Sequence, residues 1–144
     1  MNKIITLLLL ITTSSFVTSQ NLHIYGGADY TEYLGCLDCS RFDSKSIWNA
    51  FGDYGSSFSN TSIWNDLNNY GDDNNPLSPW NTVSNKAPKI VDDAGKFQGY
   101  LTANPSLKEK SNSRFATELV NNHKAIAKDL AKWYTKLVVD YSKL

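Results

Sequence analysis

Cys36 and Cys39 have the widest chemical range of any residues in this chain. The Cys36-Leu37-Asp38-Cys39 spacing admits three chemistries. A local disulfide is the plain reading for an exported chain. A redox dithiol needs the pair at a helix N-terminus, where the helix end depresses a thiol pKa. Asp38 opposes a thiolate, and residues 40–44 start no helix with an apolar stripe. A structural zinc wants four ligands, and the only histidines to complete the set are His23 and His123. The disulfide is expected, with an exported thiol–disulfide redox protein as the alternative function.

The acidic loop Asp66-Leu67-Asn68-Asn69-Tyr70-Gly71-Asp72-Asp73 carries part of an EF-hand pattern. Asp66, Asn68 and Gly71 fit the first, third and sixth positions; Tyr70 and Leu77 fail the fifth and twelfth. The same residues make a good polar turn. Asn60-Thr61-Ser62 matches a glycosylation sequon. Asp92-Asp93 falls in a hairpin turn, where two separated acid–base roles have no support.

A repeat dominates the acidic half. Ser46-Ile47-Trp48-Asn49 returns as Ser62-Ile63-Trp64-Asn65 and as Ser78-Pro79-Trp80-Asn81, sixteen residues apart each time. Tyr54-Gly55 and Tyr70-Gly71 share one offset. Pro79 directly after Ser78 suits the first position of a helix, and Ser suits the N-cap before it. Phe51, Leu67 and Val83 each follow a Trp by three residues, as a shared helical face requires. The spacing therefore predicts short capped helical turns, too brief to be stable alone. Trp48, Trp64 and Trp80 are then either the repeat's core or, with Asn49, Asn65 and Asn81, an exposed sugar-binding row. A repeat unit must bury something, which favours the core reading. The Asn residues suit local backbone satisfaction better than a ligand.

The elements that position these residues change after residue 87. Pro88 and Pro105 bracket a β-hairpin, with Lys89-Ile90-Val91 and residues 97–102 flanking a loop that contains Gly95. From about residue 113 to 141 the pattern is helical: Leu119, His123, Ile126, Leu130, Trp133 and Leu137 recur at steps of three and four. Ser111, Asn112 or Ser113 can cap it. Lys124, Lys128, Lys132 and Lys136 form a row on the other face, which would either grip an anionic surface or lie in solvent. His123 falls on the apolar stripe and reads as a satisfied core residue.

Export bounds the function. Lys3, the apolar run over residues 4–11, and small Val17 and Ser19 form a signal peptide with cleavage before Gln20. The run is shorter than the roughly 20 residues of a spanning helix. No transmembrane segment is expected after cleavage, and the localisation is secreted or periplasmic. Residues 20–83 carry two bases and eight acids, a net of −6; residues 84–144 carry eleven bases and six acids, a net of +5. A chain split this way can dock its halves on each other or show one charged face to a partner.

Tyr33-Leu34-Gly35-Cys36-Leu37-Asp38-Cys39-Ser40, the Ser-Ile-Trp-Asn and Tyr-Gly repeats, and the hairpin ending in Gly99-Tyr100-Leu101-Thr102-Ala103-Asn104 together resemble a group of uncharacterised secreted bacterial proteins. The likeness covers roughly residues 24–104. It implies a bacterial origin and a recurring extracellular module, and it brings no activity. The degraded third repeat and the helix after Asn104 depart from the pattern. The sequence thus predicts one small α+β domain: a signal peptide over residues 1–19, a repeat-and-hairpin module over 20–110, and a C-terminal amphipathic helix over 111–144 packed on it. It predicts a non-enzymatic binding or structural module for a surface polysaccharide or a protein partner. No cofactor and no nucleic-acid partner are expected.

Overall fold

The computed structural model describes residues 20–140. The leader expected over residues 1–19 lies outside them. The fold is a small α+β domain, as the sequence predicts. It has a four-stranded antiparallel sheet in the order β2-β1-β3-β4, with β1 Leu22–Gly26, β2 Glu32–Cys36, β3 Lys89–Asp92 and β4 Phe97–Tyr100. The expected hairpin is β3–β4. Its turn is closed by Asp92, whose Oδ1 accepts from Ala94 N and Lys96 N, and by Gly95 at φ +79°. β1 alternates as a half-buried strand does, with Ile24 buried between His23 and Tyr25. Ile24, Leu34 and Ile90 face inward at 0–1% exposure, while His23, Tyr25, Tyr33 and Lys89 lie only partly buried.

The repeat is where expectation and structure part. Residues 40–87 form three stacked coils of sixteen residues, built from turns and not from helix. Backbone i→i+3 bonds of 2.9–3.4 Å recur at every third residue: Asp43 N to Ser40 O, Ser46 N to Asp43 O, Asn49 N to Ser46 O, and on through Asn81 N to Ser78 O. At the end of each of the first two coils the step lengthens by one residue, at Ser56 N to Gly52 O and at Asp72 N to Asn68 O. At each step, Gly52 excepted, a Ser, Asn or Asp side chain accepts from the backbone N–H two residues on. These short side chains offer the backbone an alternative to helix. Ser46, Ser62 and Ser78 accept from nearby backbone N–H groups, but they cap no helix, because another turn-former three residues later stops propagation. Residue i+3 therefore lies on the next edge of the coil. Phe51, Leu67 and Val83 do not join the Trp face; they stand 101%, 92% and 82% exposed.

The lengthened step explains the Tyr-Gly signature. A Cβ at Gly55 would sit 2.2 Å from Asn49 O, and one at Gly71 would sit 2.0 Å from Asn65 O. The chain crosses its own backbone there, and no side chain fits.

The coils stack through tryptophan. Trp48 Nε1 donates to Leu37 O at 2.6 Å, Trp64 Nε1 to Ile47 O at 2.7 Å, and Trp80 Nε1 to Ile63 O at 2.8 Å. The next rung, Pro79 O, accepts from Ala103 N at 2.7 Å. The segment after β4 thus closes the stack, with the same turn chemistry at Thr102 and Asn104. At the other end, Cys36 N donates to Lys45 O and Ile47 N to Cys36 O, joining the first coil to the edge of β2.

The expected single C-terminal helix is two, α1 Arg114–Lys128 and α2 Leu130–Tyr134, followed by a π-helical segment Thr135–Val139. Ser113 caps α1 through a bond from Ala116 N. The break is Asp129, at φ −154° and ψ 77°, whose side chain accepts from Lys132 N as the cap of α2. The helices close over the Trp column: Trp48 meets Phe115 and Tyr134, and Trp80 meets His123. Leu119, Ile126, Leu130 and Leu137 belong to the same core as the sheet's Ile24 and Ile90. No helix among the described residues is long and apolar enough to cross a membrane.

Candidate functional site

Trp48, Trp64 and Trp80 are 2%, 6% and 3% exposed. Their ring faces are spent on each other and on His123: Trp64 stacks on Trp80 at 5.6 Å, and Trp80 on His123 at 4.6 Å with 7° between planes. No face is left for a sugar, so the exposed-row reading is corrected to a core. The same holds for the asparagines. Asn49, Asn65 and Asn81 accept from Phe51 N, Leu67 N and Val83 N, and Asn49 and Asn65 also donate to Asp43 O and Ser59 O.

The lysine row is split by the break at Asp129. Lys124 pairs with Asp73 at 2.8 Å, and Lys136 lies 4.4 Å over the Trp133 ring. Lys128 and Lys132 are exposed. His123 Nδ1 donates to Val120 O at 2.9 Å, and its Nε2 lies 3.3 Å from Asp73 Oδ1. The acidic and basic halves therefore make a charged contact at Asp73, in addition to the His23–Asp93 pair and the β1–β3 ladder. A cleft of about 570 Å³ runs beside α1, lined by Trp64, Trp80, Asp73, His123, Lys124 and Lys128. Its polar groups hold α1 on the third coil, which makes it a seam.

Cys36 and Cys39 are joined as a disulfide, with Cys36 fully buried and Cys39 8% exposed. Ser40 opens a turn, not a helix, so the helix end that would activate a thiol is not at the pair. Asp38 Oδ1 accepts from Leu22 N at 2.8 Å, and burial raises the carboxyl pKa despite that bond. These three are the one group of metal-type side chains clustered among the described residues, and two of them are bonded to each other. The calcium-like loop is also spent. Asn68 Oδ1 accepts from Tyr70 N and Gly71 N, and Asp72 Oδ1 from Asn74 N.

The open face of the sheet carries residues that no sequence motif marks. Register pairs Tyr33 with Tyr25, Tyr25 with Lys89, and Lys89 with Tyr100, a single row across all four strands. A bulge beside Ile24 and Tyr25 sets Tyr33 in that row. Gly35 sits in the bulged stretch at φ +113°, where a Cβ would lie 2.9 Å from Ile47 Cγ2. Tyr25 and Tyr33 meet edge to face at 5.2 Å, and Tyr33 and Tyr54 at 5.0 Å. Lys89 Nζ lies 6.0 Å over the Tyr25 ring and 5.8 Å over Tyr30. His23 bridges Tyr33 OH at 2.9 Å and Asp93 Oδ1 at 2.7 Å. His23, Tyr25, Tyr30, Tyr33, Lys89 and Asp93, with Lys45 and Asp92, line a basin of about 560 Å³.

Burial raises the Tyr33 phenol well above its ordinary value, helped by Tyr25, Tyr54, Asp43 and Asp93. Burial also raises Tyr30, with Tyr100 adding. The His23 hydrogen bond, then Asn21 N, holds Asp93 below its ordinary value. The upward shift keeps the phenol of the Tyr33–His23–Asp93 chain protonated, and Tyr33 and His23 share one hydrogen bond. The signal for this face was the alternation His23-Ile24-Tyr25 and Tyr33-Leu34, too short to stand out beside the repeat.

Comparison of the chain with protein-family models, curated proteins and solved structures finds no match.

Proposed function

We propose that this chain is an exported, non-enzymatic binding module that holds a surface polymer on the open face of its sheet. The observation that carries the reading is the Tyr33–Tyr25–Lys89–Tyr100 row across the four strands. Tyrosine supplies large, rigid contact area at low entropic cost, with a polar tip for hydrogen bonds. The stacked coils, the disulfide and the Trp column give that face a stiff backing, which limits the ordering cost of binding. The leader and the resemblance to secreted bacterial proteins support export.

Retention of the mature chain on insoluble polysaccharides and cell-wall preparations tests this. Thr31 is exposed at the basin rim, so Thr31→Trp fills the basin without removing a packing contact. Retention lost in Thr31→Trp, with an unchanged circular dichroism spectrum, supports the reading. Retention equal to wild type, or none on any preparation, refutes it. A protein partner is a second reading, favoured by the fully exposed Phe51, Leu67 and Val83 column. Phe51→Ser would then lose the partner where Thr31→Trp would not.

A further inference from the structure

Tyr30 is held in an unusual state. Its φ is +57°, in the left-handed region that favours Gly or Asn. A bulky residue there is an outlier that invites a functional explanation. The turn from Gly27 to Tyr30 closes with Tyr30 N donating to Gly27 O at 3.3 Å. The strained backbone brings the Tyr30 ring to the basin, 5.9 Å from the Tyr100 ring and over Lys89.

The charged side chains lining the basin balance, Lys45 and Lys89 against Asp92 and Asp93. The Lys89 ammonium lies over two tyrosine rings. Asp93 accepts from His23 and Asn21 N. Asp92 accepts from Ala94 N, Lys96 N and Gln98 Nε2. Lys45 at the rim is exposed to water. The basin thus offers a charged ligand no excess of the opposite sign, and an uncharged one leaves these contacts in place. What remains on offer is aromatic surface with hydroxyl tips. Its complement is a ring with apolar C–H faces and hydroxyl edges, and a basin of about 560 Å³ is within the range of small-ligand sites.

We propose that this basin holds an uncharged pyranose unit of a glycan chain, with Tyr30 as the clamp over it. The inference rests on the reading of the open sheet face as the binding surface.

The test is calorimetric titration of the mature chain with cellohexaose, maltohexaose, mannohexaose and hexagalacturonate, alongside Tyr30→Asn and Thr31→Trp. Asn tolerates the left-handed backbone. The expected result is that one neutral hexasaccharide binds at least about tenfold tighter than hexagalacturonate, a difference of about 1.4 kcal/mol. Tyr30→Asn is expected to weaken that binding by a similar factor while leaving the thermal midpoint unchanged or higher. Hexagalacturonate binding tightest overturns the uncharged ligand. Wild-type affinity in Tyr30→Asn overturns the clamp, and a lowered midpoint marks Tyr30 as a packing residue instead. If no hexasaccharide binds while Thr31→Trp still abolishes retention on a cell-wall preparation, the pyranose assignment falls and the sheet face stands. If Thr31→Trp changes neither, the sheet face itself falls.

Discussion

Trp64→Phe tests the stacking of the coils. The indole N–H is the donor to Ile47 O at 2.7 Å, and the Trp64 and Ile47 side chains are 6% and 0% exposed. Phe keeps an aromatic ring against Trp80 but brings no donor. A buried carbonyl left without its partner costs about 1–3 kcal/mol. The space vacated by the lost pyrrole ring adds about 1 kcal/mol. The expected loss is therefore about 2–4 kcal/mol, a large share of the roughly 5–15 kcal/mol that holds a domain together. Trp133→Phe is the comparison. Trp133 is partly buried, with Lys136 over its ring, and is expected to cost less than about 1 kcal/mol. Urea unfolding followed by far-ultraviolet circular dichroism reads both variants, and a shifted midpoint at constant slope reports stability alone. A Trp64→Phe loss under about 0.5 kcal/mol, or one equal to that of Trp133→Phe, would refute the ladder as the joint between coils.

Gly71→Ala is expected to cost at least about 3 kcal/mol in the same assay, because the new Cβ meets Asn65 O at 2.0 Å and the obstacle is backbone. Asn68→Ala is expected to cost about 2–3 kcal/mol: Asn68 accepts from Tyr70 N and Gly71 N and donates to Ser59 O and Ser62 O, and a normal midpoint would sink the turn-chain account. Asp73 gives a pH signature. Its partial burial works upward, but the Lys124 hydrogen bond and the His123 and Lys124 charges outweigh it and set the carboxyl below its ordinary 3.8. A carboxylate depressed in the folded state stabilises above the unfolded value, and that contribution is lost as pH falls through the folded one. Near-ultraviolet circular dichroism should show α1 loosening below pH 3.8 in wild type, and Asp73→Asn should show no such step.

The sequence by itself determined what short-range physics controls. The β3–β4 hairpin was legible because its strands and its Gly95 turn are contiguous in the chain. The disulfide was legible because no helix starts after the Cys36–Cys39 pair and the chain has too few histidines near it for zinc. The Trp core was legible because a repeat unit must bury its largest residue. Ser46, Ser62 and Ser78 were legible as side-chain acceptors for nearby backbone. Whether a helix followed was not, because a helix cap and a Ser or Asn turn begin with the same side-chain bond to nearby backbone. The deciding signal was present in Ser40, Asp43, Ser46 and Asn49, a short polar residue at every third place, and it is read only when the recurrence is weighed along with each cap. Asp129 hid in the same way, since its cap bond to Lys132 N competes with an unbroken apolar stripe.

Tertiary structure alone decided the rest. β1 sits between β2 and β3, joining Tyr25 to Lys89 across a long stretch of chain, and no local pattern specifies that pairing. Only the pairing makes a row of Tyr33, Tyr25, Lys89 and Tyr100. Likewise, no motif marks His23 and Asp93 as partners, because their contact exists only once the sheet order is set. Chemistry that depends on neighbours in sequence can be read from the chain. The candidate surface depends on neighbours across strands, and those are fixed by how the whole domain buries its core.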